Sequence, residues 1–122
     1  MHPQKFGRYE VLAEIGDGAM GRVYRAFDPL VRRPVAIKTV KSEHLSKDSA
    51  EEYLKRFRRE AQAAGGLSHP SIVSVFDVGE DYFVMELLDG VTLQQLLKEK
   101  GRLEPAEALR ILAPVADALD YA

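Results

Sequence analysis

The sequence predicts an α+β fold: an antiparallel sheet with one helix against it, followed by two helices outside that layer. Three observations point to this. Apolar residues alternate along residues 8–40 and again along 72–87. The stretch between them repeats with a helical period, and after residue 90 only helical patterns remain. The order βββαββ and then αα gives a five-stranded sheet with one helix.

The first strand is expected over Arg8–Ile15, with Tyr9, Val11, Ala13 and Ile15 on one face. Gly16-Asp17-Gly18 is a turn signal, and alternation resumes over Val23–Phe27. Asp28-Pro29 punctuates, and Pro34 opens a third strand, Val35–Val40, with Val35 and Ile37 opposite Ala36, Lys38 and Val40. Ser49-Ala50-Glu51-Glu52 reads as a capping box for a helix whose apolar arc is Tyr53, Leu54, Phe57, Ala61 and Ala64. Gly65-Gly66 stops it, and His69-Pro70 is a turn. Strands over Ile72–Val78 and Tyr82–Leu87 follow, joined around Gly79-Glu80-Asp81. A short helix over Leu93–Lys100 and a longer one over Pro105–Tyr121 complete the chain. Pro105 suits a first helical turn. Pro114 removes the hydrogen bond to the Arg110 carbonyl, so a kink or break is expected there.

At 122 residues the chain is one ordinary domain that buries roughly two-thirds of its unfolded surface without a staple. With 46% hydrophobic and 30% charged residues it is globular rather than disordered. Seventeen basic against nineteen acidic residues argue against a polyanion partner recruited by net charge. The Arg32-Arg33 and Arg56-Arg58-Arg59 groups read as solvated surface, so no nucleic acid is expected. The absence of cysteine excludes disulfides, thiolate metal sites and a cysteine nucleophile, and suits a reducing compartment. No secretory signal and no membrane segment is visible, so a cytoplasmic location is expected for this stretch.

Gly16-Asp17-Gly18-Ala19-Met20-Gly21 fits G-x-G-x-x-G, a pattern that is weak alone. A dinucleotide fold needs such a loop to open a helix and an acid about 20 residues on. Here the loop enters a strand, and Lys38 stands where the acid would be. A P-loop needs Lys-Ser or Lys-Thr after the last glycine, and Arg22-Val23 follows instead. Two readings remain at this point: a hairpin whose bare backbone covers a nucleotide's phosphates, and a glycine-rich hairpin with no ligand.

Lys38 emerges between Ala36 and Val40 on one strand face. An ammonium on an apolar surface calls for an anion, although a snorkelling edge-strand lysine also fits. On the helix, Glu60 lies about 20° outside the apolar arc, at about 100° per residue. It is the one acid of that helix facing the sheet, or else a solvated flank residue.

Gly16 to Val23, Val35-Ala36-Ile37-Lys38 and Glu60, in this order, resemble the N-terminal lobe of a protein kinase. Gly18-Ala19-Met20-Gly21-Arg22-Val23-Tyr24, Phe57-Arg58-Arg59-Glu60-Ala61 and Leu67-Ser68-His69-Pro70 are most similar to bacterial Hanks-type serine/threonine kinases. The resemblance covers almost the whole chain. It implies a kinase N-lobe over residues 1–88 and the start of a C-lobe over 89–122, the latter two helices of an incomplete lobe. It further implies an ATP cleft. The loop of Gly16, Gly18 and Gly21 would cover the phosphates, and Lys38, held by Glu60, would contact them as the catalytic pair. Ile15, Val23 and Ala36 would sandwich the adenine, with Met85 as gatekeeper and Glu86 and Leu88 as hinge contacts to its edge.

The same resemblance sets limits. The family's His-Arg-Asp, Asp-Phe-Gly and Ala-Pro-Glu motifs do not occur in this sequence, whose histidines are His2, His44 and His69. Mg²⁺ therefore belongs to the full-length parent, and this polypeptide by itself is expected not to turn over. The expected function is the ATP-binding portion of a serine/threonine kinase acting on protein substrates; the alternative is a non-catalytic kinase-like module that binds nucleotide or a partner. Leu109, Leu112 or Ile111, Val115 and Leu119 would show an apolar stripe to water, so self-association is expected.

Overall fold

The computed structural model describes residues 4–17, 21–40 and 46–122. Among these residues six strands and three helices occur: β1 (Lys5–Phe6), β2 (Tyr9–Asp17), β3 (Arg22–Asp28), β4 (Arg33–Thr39), α1 (Lys47–Gly65), β5 (Val75–Val78), β6 (Tyr82–Met85), α2 (Leu93–Lys100) and α3 (Pro105–Tyr121). The strands form one antiparallel sheet in the order β1-β2-β3-β4-β6-β5. The sixth strand is β1, two residues too short to carry an alternation signal. Gly7, at φ 56°, turns the chain so that Phe6 pairs with Tyr9.

The register corrects the expected face of β2. Val11 opposes Ala26, Ala13 opposes Arg25, Glu14 opposes Tyr24 and Gly16 opposes Val23. Leu12 and Ile15 are therefore extra residues at two bulges, and each resets the alternation. Val11 and Ala13 point to opposite faces, and Ile15 is 52% exposed instead of sharing the buried face of Tyr9.

Both faces of the sheet are covered in part. On one, Tyr9, Ala26, Val35, Ile37 and Val84 form a cluster against which Phe6 and Tyr82 pack. On the other, Phe57 and Ala61 of α1 meet Phe83, with Val40, Val75 and Met85 around them. The Phe57 and Phe83 rings lie 5.0 Å apart. Each buried aromatic contributes about 1.5–3 kcal/mol of transfer free energy, and this contact docks α1.

A buried acid organises the β3–β4 turn. Asp28 is 1% exposed and accepts both Arg8 Nε and Nη2 at 3.1 Å, together with the Leu30 and Val31 amides. The Arg8 guanidinium holds its carboxyl below the usual carboxylate range. Tyr9, hydrogen-bonded through its hydroxyl to Asp77 Oδ2 at 2.9 Å, has its phenol pushed up to about 12, chiefly by burial.

Other expected boundaries shift. Ser46, not Ser49, caps α1: its side chain accepts the Ser49 amide, which adds a turn and puts Asp48 beside the positive end of the helix dipole. β5 begins at Val75 rather than Ile72, because the Ile72 amide turns back to the His69 carbonyl. β6 ends at Met85, short of the expected Leu87. α3 runs unbroken through Pro114, so the expected break is absent.

The chain divides into two compact units, one of residues up to Leu67 with Val73–Leu87, the other of Ser68–Ile72 with Leu88–Ala122. In the second, α2 has a reciprocal Thr92–Gln95 capping box, and Lys100 Nζ reaches Glu107 Oε1 of α3 at 2.8 Å. The 68–72 turn is held to α3 by His69 Nε2 on Asp117 Oδ2 at 2.8 Å and by the Ser68 amide on the Tyr121 hydroxyl at 2.9 Å. The Ser71 amide donates to His69 Nδ1, so the imidazole is engaged on both nitrogens in a turn.

Candidate functional site

Strand register gathers the expected residues of the first unit. Gly16 opposes Val23, Val23 opposes Lys38, and Lys38 opposes Phe83, forming one row across four strands. The adjacent row on that face runs Arg25, Ala36, Met85 and Val75. Gly16, Val23, Ala36, Lys38 and Met85 thus share the face on which α1 packs. Helical phase does the rest: Phe57 and Ala61 anchor α1, and Glu60 at the margin of that stripe comes within 3.8 Å of Lys38 Nζ.

The Lys38–Glu60 contact has the right sign and place but is loose. Charge-assisted N–H···O bonds are about 2.7–2.9 Å long. The side chains are 31% and 54% exposed, so water screens the pair. Phe83 lies beneath Lys38, its ring centroid 5.9 Å from Nζ. Sequence periodicity gave no sign of Phe83, because only the β4–β6 register sets it opposite Lys38.

The glycines differ in what they are for. A Cβ on Gly21 would overlap the Thr39 carbonyl, so packing of the chain itself demands glycine there. A Cβ on Gly16 would meet nothing closer than Val23 Cβ, at an ordinary 3.6 Å. The fold leaves room for a side chain at Gly16 on the Lys38 face, so packing does not demand glycine there. Gly18 lies outside the described residues. Arg22 Nε stands 3.6 Å from Glu14 Oε1 across the hairpin that carries the loop.

Ala36 is buried against the Met85 pairing position, a short apolar wall. The Glu86 amide donates to the Ser74 carbonyl at 2.9 Å, and Glu86 Oε1 accepts the Ser74 amide at 3.3 Å. These bonds fix the strand end at Glu86. Leu88 belongs to the second unit and is 61% exposed. No group of three or more His, Asp or Glu able to hold a metal occurs among the described residues.

Comparison with known proteins decides the family. A model described as the protein kinase domain matches residues 9–122. The chain belongs to the protein kinase domain family. It is 42% identical over 120 residues to serine/threonine-protein kinase PrkC of Bacillus subtilis, covering 95% of this chain and 18% of that protein. It is 39% identical over 127 residues to serine/threonine-protein kinase PknB of Mycobacterium leprae, covering 98% and 20%. Among solved structures, the Mycobacterium tuberculosis PknI kinase domain aligns at TM-score 0.78 and 34% identity, over 95% of this chain and 47% of that one. The chain therefore spans about a fifth of these curated relatives and about half of the solved kinase domain. The resemblance to bacterial serine/threonine kinases and the kinase-like fold are both borne out. No helix among the described residues is long and apolar enough to cross a membrane.

Proposed function

We propose that this chain is the ATP-binding portion of a serine/threonine protein kinase and that the Lys38 face of its sheet receives the nucleotide. The observation that carries the reading is the meeting of Lys38 and Glu60 at 3.8 Å on the face shared with Gly16, Val23, Ala36 and Met85. An ammonium with a partly exposed carboxylate partner is oriented but not neutralised by a tight bond, and so stays available to a phosphate. ATP, when bound, supplies the phosphoryl group that the full-length kinase passes to protein hydroxyls.

In this reading Gly16 and Gly21 bring backbone close to the phosphates, and Gly18 is assigned the same role on the resemblance alone. Lys38 donates to the phosphates while Glu60 holds its side chain. Val23 and Ala36 flank the adenine with Ile15, exposed at its bulge, and Met85 bounds the depth of the site. The Glu86 carbonyl accepts from the adenine edge, and Leu88 is assigned the neighbouring backbone contact on the resemblance alone. Mg²⁺ would be held by residues other than those described. The parent acts on protein substrates, and this portion works in the cytoplasm.

Titration of the chain with a fluorescent ATP analogue tests the reading. Lys38→Ala is expected to weaken binding about tenfold or more, since a charge-assisted bond contributes about 1.5–3 kcal/mol. Equal affinity in the variant, with its fold retained by circular dichroism, overturns it. Separately, Leu109, Leu112, Val115 and Leu119 are 68%, 54%, 46% and 72% exposed along α3, and we propose that the isolated chain self-associates through them. A concentration-independent monomer in sedimentation overturns that.

A further inference from the structure

Lys38 has two neighbours able to hold its charge, and only one of them is an acid. Val23 of β3 and Phe83 of β6 stand directly opposite it in register, one on each side. Side chains paired in this way share a sheet face, with Cβ atoms about 4.5–5.5 Å apart. Val23 offers the ammonium only aliphatic contact. Phe83 places an aromatic ring beneath it, with Nζ 5.9 Å from the centroid, at the outer edge of the range over which a ring attracts a cation.

The ring is fixed where the ammonium is not. Phe83 is 5% exposed and packs with Phe57 and Ala61 of α1 and with Val40, Val75 and Met85 of the sheet. The Phe57 ring lies against it at a 40° tilt. The Lys38 side chain, in contrast, is 31% exposed and reaches Glu60 only at 3.8 Å. The two holds also differ in kind. A carboxylate takes up N–H donors and cancels charge. A ring attracts through its quadrupole and leaves the donors and the net charge in place. Glu60 rides on α1, whereas Phe83 belongs to the same sheet as Lys38, so the ring keeps its place under the ammonium whatever the helix does.

We infer that Phe83 is a positioning residue for Lys38: its ring seats the ammonium on the sheet by a cation–π contact and leaves the N–H donors to the phosphates. The positioning role rests on the nucleotide reading; the seat itself does not. Burial alone accounts for a large apolar side chain at position 83, and an aliphatic one of similar volume would serve packing as well. The seat requires a π-face, so the test separates ring electronics from volume.

Replacing Phe83 with 4-fluoro-, 3,5-difluoro- and 3,4,5-trifluorophenylalanine weakens the negative face of the ring stepwise at nearly constant size. Affinity for the fluorescent ATP analogue is expected to fall in the same order, about two- to fivefold across the series. The same decline is expected in a Glu60→Gln background, because the ring acts on the ammonium directly, and no decline in Lys38→Ala. A flat series in the parent chain overturns the inference. So does a decline that survives Lys38→Ala, which is packing, or one that vanishes with Glu60→Gln, which is an effect carried through α1. The seat is read without nucleotide by proton NMR. The ε-methylene protons of Lys38, assigned by their loss in Lys38→Ala, are expected upfield of those of the other lysines and are expected to rejoin them in Phe83→Leu. Lys38 protons at the ordinary lysine position in the parent overturn the seat. The two failures are told apart: equal nucleotide affinity in Lys38→Ala overturns the nucleotide reading and the positioning role with it, whereas a tenfold loss there beside a flat fluorine series overturns only the role of Phe83.

Discussion

Alanine at Gly16 and at Gly21 separates a glycine kept for a ligand from one kept for packing. At Gly21 the added methyl overlaps the Thr39 carbonyl oxygen and comes within 2.9 Å of its carbon. Both are backbone atoms, so no side chain can swing aside, and β3 must move off the end of β4. That strains the Val23–Lys38 pairing and the Thr39 Oγ1 bond to the Arg22 carbonyl, 3.3 Å long. Overpacking of this kind costs about 1–3 kcal/mol. At about 2 kcal/mol the melting midpoint falls by on the order of 8 °C. At Gly16 the methyl finds ordinary contact with Val23, and φ lies outside the positive range. Gly16→Ala is then neutral or stabilising by about 0.4–1 kcal/mol, through the lower entropy of the unfolded chain. The same methyl projects onto the Lys38 face and would intrude on a nucleotide bound there as proposed. An intrusion of about 1.4 kcal/mol weakens binding tenfold. Urea unfolding and ATP-analogue titration of both variants measure the two axes. Equal stability losses, or undiminished nucleotide affinity in Gly16→Ala, would refute the division of roles.

Further outcomes follow from the same coordinates. Phe57→Ala removes the ring that meets Phe83 and is expected to cost about 3–5 kcal/mol by urea unfolding, with loss of nucleotide binding as α1 undocks. Asp28 has a lowered carboxyl pKa, so its contribution is complete above the unfolded carboxylate value and fades as pH falls through the folded one; thermal melts from pH 6 down to pH 3 should show that loss in the parent chain and a flatter profile in Asp28→Asn. Tyr9 has the opposite sign: its phenol is raised to about 12, so the stability it lends is whole below pH 10 and is lost between 10 and 12, an alkaline transition that Tyr9→Phe should blunt in absorbance-monitored titration.

The parts of the fold legible in the sequence were those set by local periodicity. Alternation in Val35–Val40 put Ala36 and Lys38 on one face, and the helical arc placed Glu60 at its edge; the coordinates agree on both. What escaped depended on partners distant in sequence. The bulges at Leu12 and Ile15 depend on how β2 pairs with β3, and a two-residue strand such as β1 exists only because Tyr9 lies opposite Phe6. Ser46 capped the helix although Ser49 carried the better local motif, since the competing site one turn earlier also satisfies the Ser49 amide. Pro114 obeyed its local penalty only in part: it forgoes one hydrogen bond, but α3 continues on either side of it. Asp117 and Tyr121 could not be assigned as anchors of the His69 turn, 48 and 53 residues from their partners.

The energetics of the Lys38–Glu60 pair bear on why it is there. An exposed ion pair of this length contributes about 0–1 kcal/mol, less than the docking of Phe57 alone. The fold would survive its loss, so stability does not account for a lysine emerging between Val23 and Phe83 with an acid arranged to meet it. Glu60→Gln keeps the size and hydrogen-bonding reach of the side chain while removing its charge. It should leave the unfolding midpoint nearly unchanged and lower ATP-analogue affinity, as expected of a group that orients Lys38 rather than one that holds α1 in place. A large drop in stability with unchanged affinity would reverse the assignment and make the pair a structural clasp.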